Sequence, residues 1–302
     1  MSTAITFSRY GSPDVLTRAE VDAPEPGPGQ VRIRVRAAAV NPIDLKIRSG
    51  MMAGIMPVEF PHLPGWDVAG VVDLAGEGAG AEVGDEVFGV ATAGGYSEYA
   101  LLERPVAKPA DVPFETAAAL VTVGETAYRA LHHLGAGRGE TLLIHGAGGS
   151  VGTFALQLAV ARGVTVVATA GAHDLDRLTA LAATAVAYGE GWTERVRAVA
   201  PQGVDRVLDA SGAGVLAPSV ALTGDAARVI TIADMAAAEH GVRFTGADPT
   251  DRLPQALPEL AGRLAAGTLD LPIGATYPLA EAARAHRDIE ARRARGKVVL
   301  LP

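Results

Sequence analysis

Residues 41–50, NPIDLKIRSG, bring an amide, a carboxylate and an ammonium close together as Asn41, Asp44 and Lys46. Such a set is a candidate active site. The same residues also make a complete turn, because Asn41 can cap a short helix, Pro42 suits its first position and Asp44 favours its positive end. Asp44 and Arg48 stand four apart and could pair across one helical turn, an exposed contact worth about 0.3–0.5 kcal/mol. On these residues alone the stretch is a turn or an active site, and a reactive partner elsewhere must decide.

A second stretch, LLIHGAGGSVG at 142–152, holds Gly146, Gly148, Gly149, Ser150, Val151 and Gly152. Backbone amides of such a turn can approach a pyrophosphate, and the amino terminus of a following helix adds partial positive charge. The spacing is not a clean GxGxxG, so the surrounding elements must carry the reading. They do: TLLIH precedes as a strand, and SVGTFALQLAVARG follows with Val151, Phe154, Ala155, Leu158 and Ala159 on one helical stripe. The end of the next strand selects the dinucleotide. An acid about 20 residues on would hold the adenosine ribose hydroxyls and repel a 2′-phosphate. Here VTVVATAGAHDLDR ends its strand at Thr169, Ala170 and Gly171 without one. A 2′-phosphate is permitted, with His173 and Arg177 as candidate partners and Asp174 and Asp176 read as solvated residues of the next helix.

Two kinds of element must position these residues. VRIRVRAAAV alternates Val31, Ile33 and Val35 with Arg32, Arg34 and Arg36, the period of a half-exposed strand. DVAGVV, EVFGV and YSEYALL follow between Gly, Pro and acidic turns, so the first part of the chain reads as mainly antiparallel β. After the helical PFETAAALVTVGETAYRALHHLG, six strands alternate with helix-length segments: TLLIH, VTVVAT, TAVAY, VDRVLDA, RVITIA and VRFTG. Their apolar character implies a doubly wound parallel sheet covered on both faces. A helix within DRLPQALPELAGRLAAG and a last strand, GKVVLLP, end the chain, and that strand is expected to return to the first domain.

With 302 residues, 49% of them hydrophobic, the chain can build two ordinary domains. A net charge of −8 with interleaved signs leaves no footprint for nucleic acid or an anionic membrane. There is no cysteine, which excludes disulfides, thiolate nucleophiles and thiolate metal ligands. MSTAITFSRYGS lacks a signal-peptide pattern, and no run approaches the about 20 apolar residues of a membrane span. A cytoplasmic protein is expected.

As a set, AAVNPIDLKIRSG, LPGWDVAGVV, VGDEVFGV, GGYSEYALL, ETAYRAL, HGAGGSVGTFALQLA, DRVLDASG and GKVVLLP resemble the zinc-independent quinone oxidoreductases of the medium-chain dehydrogenase/reductase superfamily. The resemblance implies a GroES-like, mainly β catalytic domain from residues 1–121 and 248–302, and a Rossmann NADPH-binding domain from 122–247. It implies hydride transfer from NADPH to a quinone, with α,β-unsaturated carbonyl (enoyl or alkenal) reduction as the alternative and a non-catalytic nucleotide-binding protein as a third reading. Zinc-containing relatives carry ligands where this chain has Asn41, the Gly65–Trp66–Asp67 run and Thr122, so no metal is expected. The resemblance places Asn41 near nicotinamide and substrate, leaves Asp44 to fix the helix, and leaves Lys46 as a possible proton donor in place of a tyrosine. It carries Thr126 to the nicotinamide, Tyr188 and Ser211 to the adenosine and ribose side, and Arg292 to the 2′-phosphate. A homodimer through the sheet edge around VRFTG is also implied.

Overall fold

The protein is described from a computed structural model covering residues 1–246 and 248–302. It divides into two compact units, Met1–Thr122 with Leu257–Pro302, and Val123–Ala256. The sequence reading puts the second boundary at 247/248, nine residues earlier. The following short turn carries Asp251, which accepts from Arg243 at 2.7 Å and from Thr245 at 3.3 Å, and this ties it to the middle unit.

The first unit opens with β1 (Ser2–Thr6) and β2 (Thr17–Val21), paired antiparallel on each other. Next come β3 (Val31–Val40), α1 (Pro42–Ser49), β4 (Asp67–Ala75), β5 (Glu86–Val90), β6 (Tyr99–Leu102) and β7 (Val106–Ala107). Val31, Ile33 and Val35 are buried, as the alternation in β3 requires. From Ala37 to Val40 the alternation stops and every side chain is buried. This end of β3 lies between β4 and β15 and is covered on both faces. Then α2 (Phe114–Leu134) carries the chain into the second unit.

That unit runs β8 (Thr141–His145), α3 (Ser150–Ala161), β9 (Thr165–Ala170), α4 (Leu175–Ala180), β10 (Thr184–Ala187), α5 (Trp192–Val199), β11 (Arg206–Asp209), α6 (Leu216–Thr223), β12 (Val229–Thr231) and β13 (Arg243–Phe244). All six strands are parallel, in the order β10-β9-β8-β11-β12-β13. The order reverses beside β8, and in such sheets ligands bind beyond the carboxyl ends of the strands at that switch. Leu143, Val167, Val186, Val207 and Val229 from five of the strands share one core. The strand candidates read from the sequence are all present.

The chain ends with α7 (Ala256–Ala265), β14 (Ile273–Pro278), α8 (Ala282–Glu290) and β15 (Lys297–Leu301). β15 pairs antiparallel with β3, so the terminal strand does return to the first unit, in a sheet ordered β14-β15-β3-β4-β5-β7. Val298 lies opposite Val40, and Ala39 opposite Asp67. The carboxyl end of β3 therefore meets the starts of β15 and β4.

Candidate functional site

That register brings three polar side chains together. Asn41 follows β3, Lys297 begins β15 and Asp67 begins β4, and all three are at least 96% buried, with 2%, 4% and 1% relative exposure. The Lys297 ammonium donates to Asn41 Oδ1. Asn41 Nδ2 donates to Asp67 Oδ2 at 2.9 Å, and Lys297 Nζ stands 3.9 Å from the same oxygen. Thr122, in α2, closes the group with its amide at 3.0 Å from Asp67 Oδ2 and its hydroxyl at 2.8 Å from Oδ1. Burial pushes Asp67 up and Lys297 down from their ordinary pKa values, and each opposes the other's shift through its charge.

Asp44 extends the network. Its carboxylate accepts from the Asn41 backbone N–H at 2.8 Å, which fixes the first turn of α1, and from the Tyr96 hydroxyl at 3.1 Å. Burial raises its pKa to about 7 against the Asn41 hydrogen bond, with the nearby Asp67 charge adding to the rise. Tyr96 in turn stands 3.2 Å from His286 Nε2 on α8. The expected pairing of Asp44 with Arg48 is not made. Arg48 is fully buried and pairs instead with Glu290, and it also donates to the Gly11 carbonyl. Although i,i+4 side chains share a helix face, Asp44 is already occupied by the helix N-terminus and Tyr96. Lys46 is half-buried on α1, outside the network. The sequence reading passed over Lys297, Tyr96 and His286. A lone lysine opening the apolar strand KVVLL was the available signal.

The second unit carries the glycine turn. It links β8 to α3, and the amides of Ser150, Val151 and Gly152 form the helix's first turn, where N–H groups have no intrahelical acceptor. Gly152 is required by contact: a Cβ there would lie 2.4 Å from the Gly146 carbonyl oxygen and 2.8 Å from Ala147 Cα. The turn is held from β9, where the Thr169 carbonyl accepts from the Ala147 amide at 3.1 Å. The Thr169 hydroxyl is buried against His145 Nδ1 at 2.9 Å. Gly149 closes the turn by donating to the Gly146 carbonyl at 3.1 Å.

Beyond β9, His173 and Arg177 stand together with Asp174 between them. Asp174 is not a solvated helix residue. It ends a short turn before α4, and its side chain, 19% exposed, rests against Gly148. Tyr188 follows β10, with its ring near Gly171 and its amide donating to the Ala170 carbonyl at 3.0 Å. Ser211 follows β11, and its hydroxyl donates to Asp209 at 2.7 Å. Thr126 lies on α2 and accepts from Arg129 at 3.3 Å. Gly146, Gly148, Gly149, Ser150, Val151, Gly152, Thr169, His173, Tyr188 and Ser211 thus lie at or just beyond the carboxyl ends of adjoining strands β8, β9, β10 and β11, with Arg177 following in α4, on the side where such sheets bind ligands. Arg292 belongs to the first unit, exposed in a left-handed turn after α8.

Residues 27–111 match the alcohol dehydrogenase GroES-like domain family, and residues 181–300 the zinc-binding dehydrogenase family. A quinone oxidoreductase of Lama guanicoe is 34% identical, over 99% of this chain and 97% of that protein. The chain belongs to the quinone oxidoreductase-like family of the medium-chain dehydrogenase/reductase superfamily. A 2-methylene-furan-3-one reductase of Solanum lycopersicum is 33% identical, over 99% of this chain and 79% of that protein. The solved Escherichia coli quinone oxidoreductase complexed with NADPH superposes with a TM-score of 0.87 at 25% identity, over 99% of this chain and 100% of that one. As a member of this family the chain is an oxidoreductase with a nicotinamide cofactor, and the glycine turn fits one. The zinc implied by the matched family's description does not fit the residues present. A metal would need lone pairs where Asn41 Oδ1 already accepts from an ammonium, and no group of three His, Asp or Glu converges among the described residues.

Proposed function

We propose that the protein is an NADPH-dependent reductase of quinones that works without zinc, with α,β-unsaturated carbonyls as the alternative acceptors. The observation that carries the reading is the buried Lys297 ammonium, bonded to Asn41 and beside Asp67; Asn41 and the run ending at Asp67 are where the resemblance aligns the ligands of zinc-containing relatives. A simple alcohol would need a Lewis acid to hold its alkoxide. A quinone or enone spreads incoming charge over a conjugated system ending at oxygen, where modest hydrogen-bond donors suffice. The names of the relatives, a quinone reductase and an enone reductase, support the same acceptor classes.

NADPH, when bound, supplies the hydride. The first-turn amides of α3 hold the pyrophosphate, and the strand end at Thr169, free of any acid, leaves room for the 2′-phosphate near His173 and Arg177. Tyr188 and Ser211 line the adenosine and ribose side, Thr126 the nicotinamide, and Arg292 is assigned to the 2′-phosphate. Asn41 has its amide oxygen taken by Lys297 and one Nδ2 hydrogen by Asp67, which leaves the other for the accepting oxygen. Lys46 or solvent supplies the proton.

The test is purified protein assayed with NADPH against 1,4-naphthoquinone, a linear enone and ethanol with NADP⁺, before and after chelation. Quinone turnover that survives chelation is expected, with the enone slower and ethanol inert. Activity that depends on a stoichiometric metal, or brisk ethanol oxidation, overturns the proposal.

A further inference from the structure

The turn after β9 offers a 2′-phosphate two basic side chains, His173 and Arg177, and both already face one carboxylate. Arg177 donates to Asp174 Oδ1 through Nη2 at 2.9 Å and Nε at 3.3 Å, while His173 Nε2 stands 3.1 Å from Oδ2. The same carboxylate is pressed onto the glycine turn, since a Cβ on Gly148 would come within 2.4 Å of Asp174 Oδ2. Arg177 fixes it there by donating also to the Gly148 carbonyl at 3.1 Å and the Thr153 hydroxyl at 3.2 Å. The Arg177 and Asp174 charges sum to zero. An NAD-type site places an acid near the ribose hydroxyls and an NADP-type site an arginine near the phosphate. This turn holds both, bonded to each other.

We infer that Asp174 is a specificity-determining residue that tempers the preference for NADPH. By occupying Arg177 and facing His173, it cancels the charge a 2′-phosphate would otherwise meet, so the protein accepts NADH within about tenfold of NADPH. A 2′-phosphate brings up to two negative charges, and a carboxylate a few ångströms away repels them even after solvent screening. The inference rests on the reading of this turn as the cofactor's adenosine side.

The test is the ratio of NADH to NADPH dissociation constants for the full chain, measured by fluorescence titration on the unsubstituted protein, Asp174→Asn and Arg177→Ala. Asp174→Asn is expected to raise the ratio about tenfold by tightening NADPH while NADH stays unchanged. Arg177→Ala is expected to lower it. Equal weakening of both dinucleotides in Asp174→Asn would mean that Asp174 only props the glycine turn, and it overturns the inference. Loss of NADH binding alone does so too, because Asp174 would then hold the ribose hydroxyls. Should Asp174→Asn melt early, Asp174→Ser is titrated in its place against the same criteria. If the unsubstituted protein binds neither dinucleotide, the cofactor reading fails as well; if it binds both and the ratio does not move, only the present inference fails.

Discussion

At the scale of single residues, the decisive group is an ammonium buried beside a carboxylate. Breaking a buried pair on one side leaves the other charge without compensation, at a cost of about 3–5 kcal/mol. Lys297→Met is therefore expected to lose stability of that order in a urea melt, and Lys297→Met combined with Asp67→Asn to regain part of it. No gain from the double substitution would show the two groups to be independent. Asp44 makes a prediction of opposite character. Its folded pKa of about 7 lies above the ordinary 3.8, so between about pH 4 and 7 the folded chain keeps a proton that the unfolded chain has released. Its contribution to stability is thus lost as pH rises through that window. His286 and His145, pushed down to about 3 and about 4 by burial, act in reverse and weaken the fold on acidification below their ordinary 6.5. The melting temperature of Asp44→Asn relative to the parent should accordingly rise between about pH 5 and about pH 8. A difference that is flat with pH would mean that Asp44 stays ionised in the fold.

At the scale of elements, the glycine turn is specified by backbone approach. Gly152 sits where a methyl would meet the carbonyl of Gly146 and the Cα of Ala147, neither of which can swing aside like a flexible side-chain tip. Gly152→Ala is expected to destabilise the second unit by about 1–3 kcal/mol through overpacking. It should also abolish the thermal shift produced by NADPH, and retention of that shift would show that the turn does not hold the pyrophosphate. The strands and the turn were legible in the sequence because each is written in local periodicity: alternation in β3, continuous apolar runs in β8 and β9, and glycine between strand and helix. The partners of Asn41 were not. Lys297 is 256 positions away and is brought to Asn41 only by the pairing of β15 with β3. Asp174 misled for a related reason, because its spacing suits a helix face while the preceding turn directs it onto Gly148.

At the scale of the whole molecule, a ligand that binds only the folded protein stabilises it by mass action. NADPH at about a hundred times its dissociation constant should add about 2.7 kcal/mol, and calorimetry with and without it gives the check. The parallel sheet of the second unit ends in β13, two residues long at its edge. A second copy adding there would continue the sheet, and the homodimer proposed from the resemblance predicts a mass in light scattering of about twice 30.8 kDa. A mass of one chain at micromolar concentration would refute it.

The sequence by itself determined the family, the six-stranded order of alternating elements, and the glycine turn, since these depend on residues near one another along the chain. The tertiary structure alone decided what surrounds Asn41 and what neutralises Arg177. Both depend on strand register and on turn direction: the turn before α4 sets Asp174 against Arg177 at the surface, and the pairing of β15 with β3 brings Lys297 to Asn41 in the buried, low-dielectric interior of the first unit. There, a single ammonium or carboxylate outweighs the local preferences of the segment that carries it.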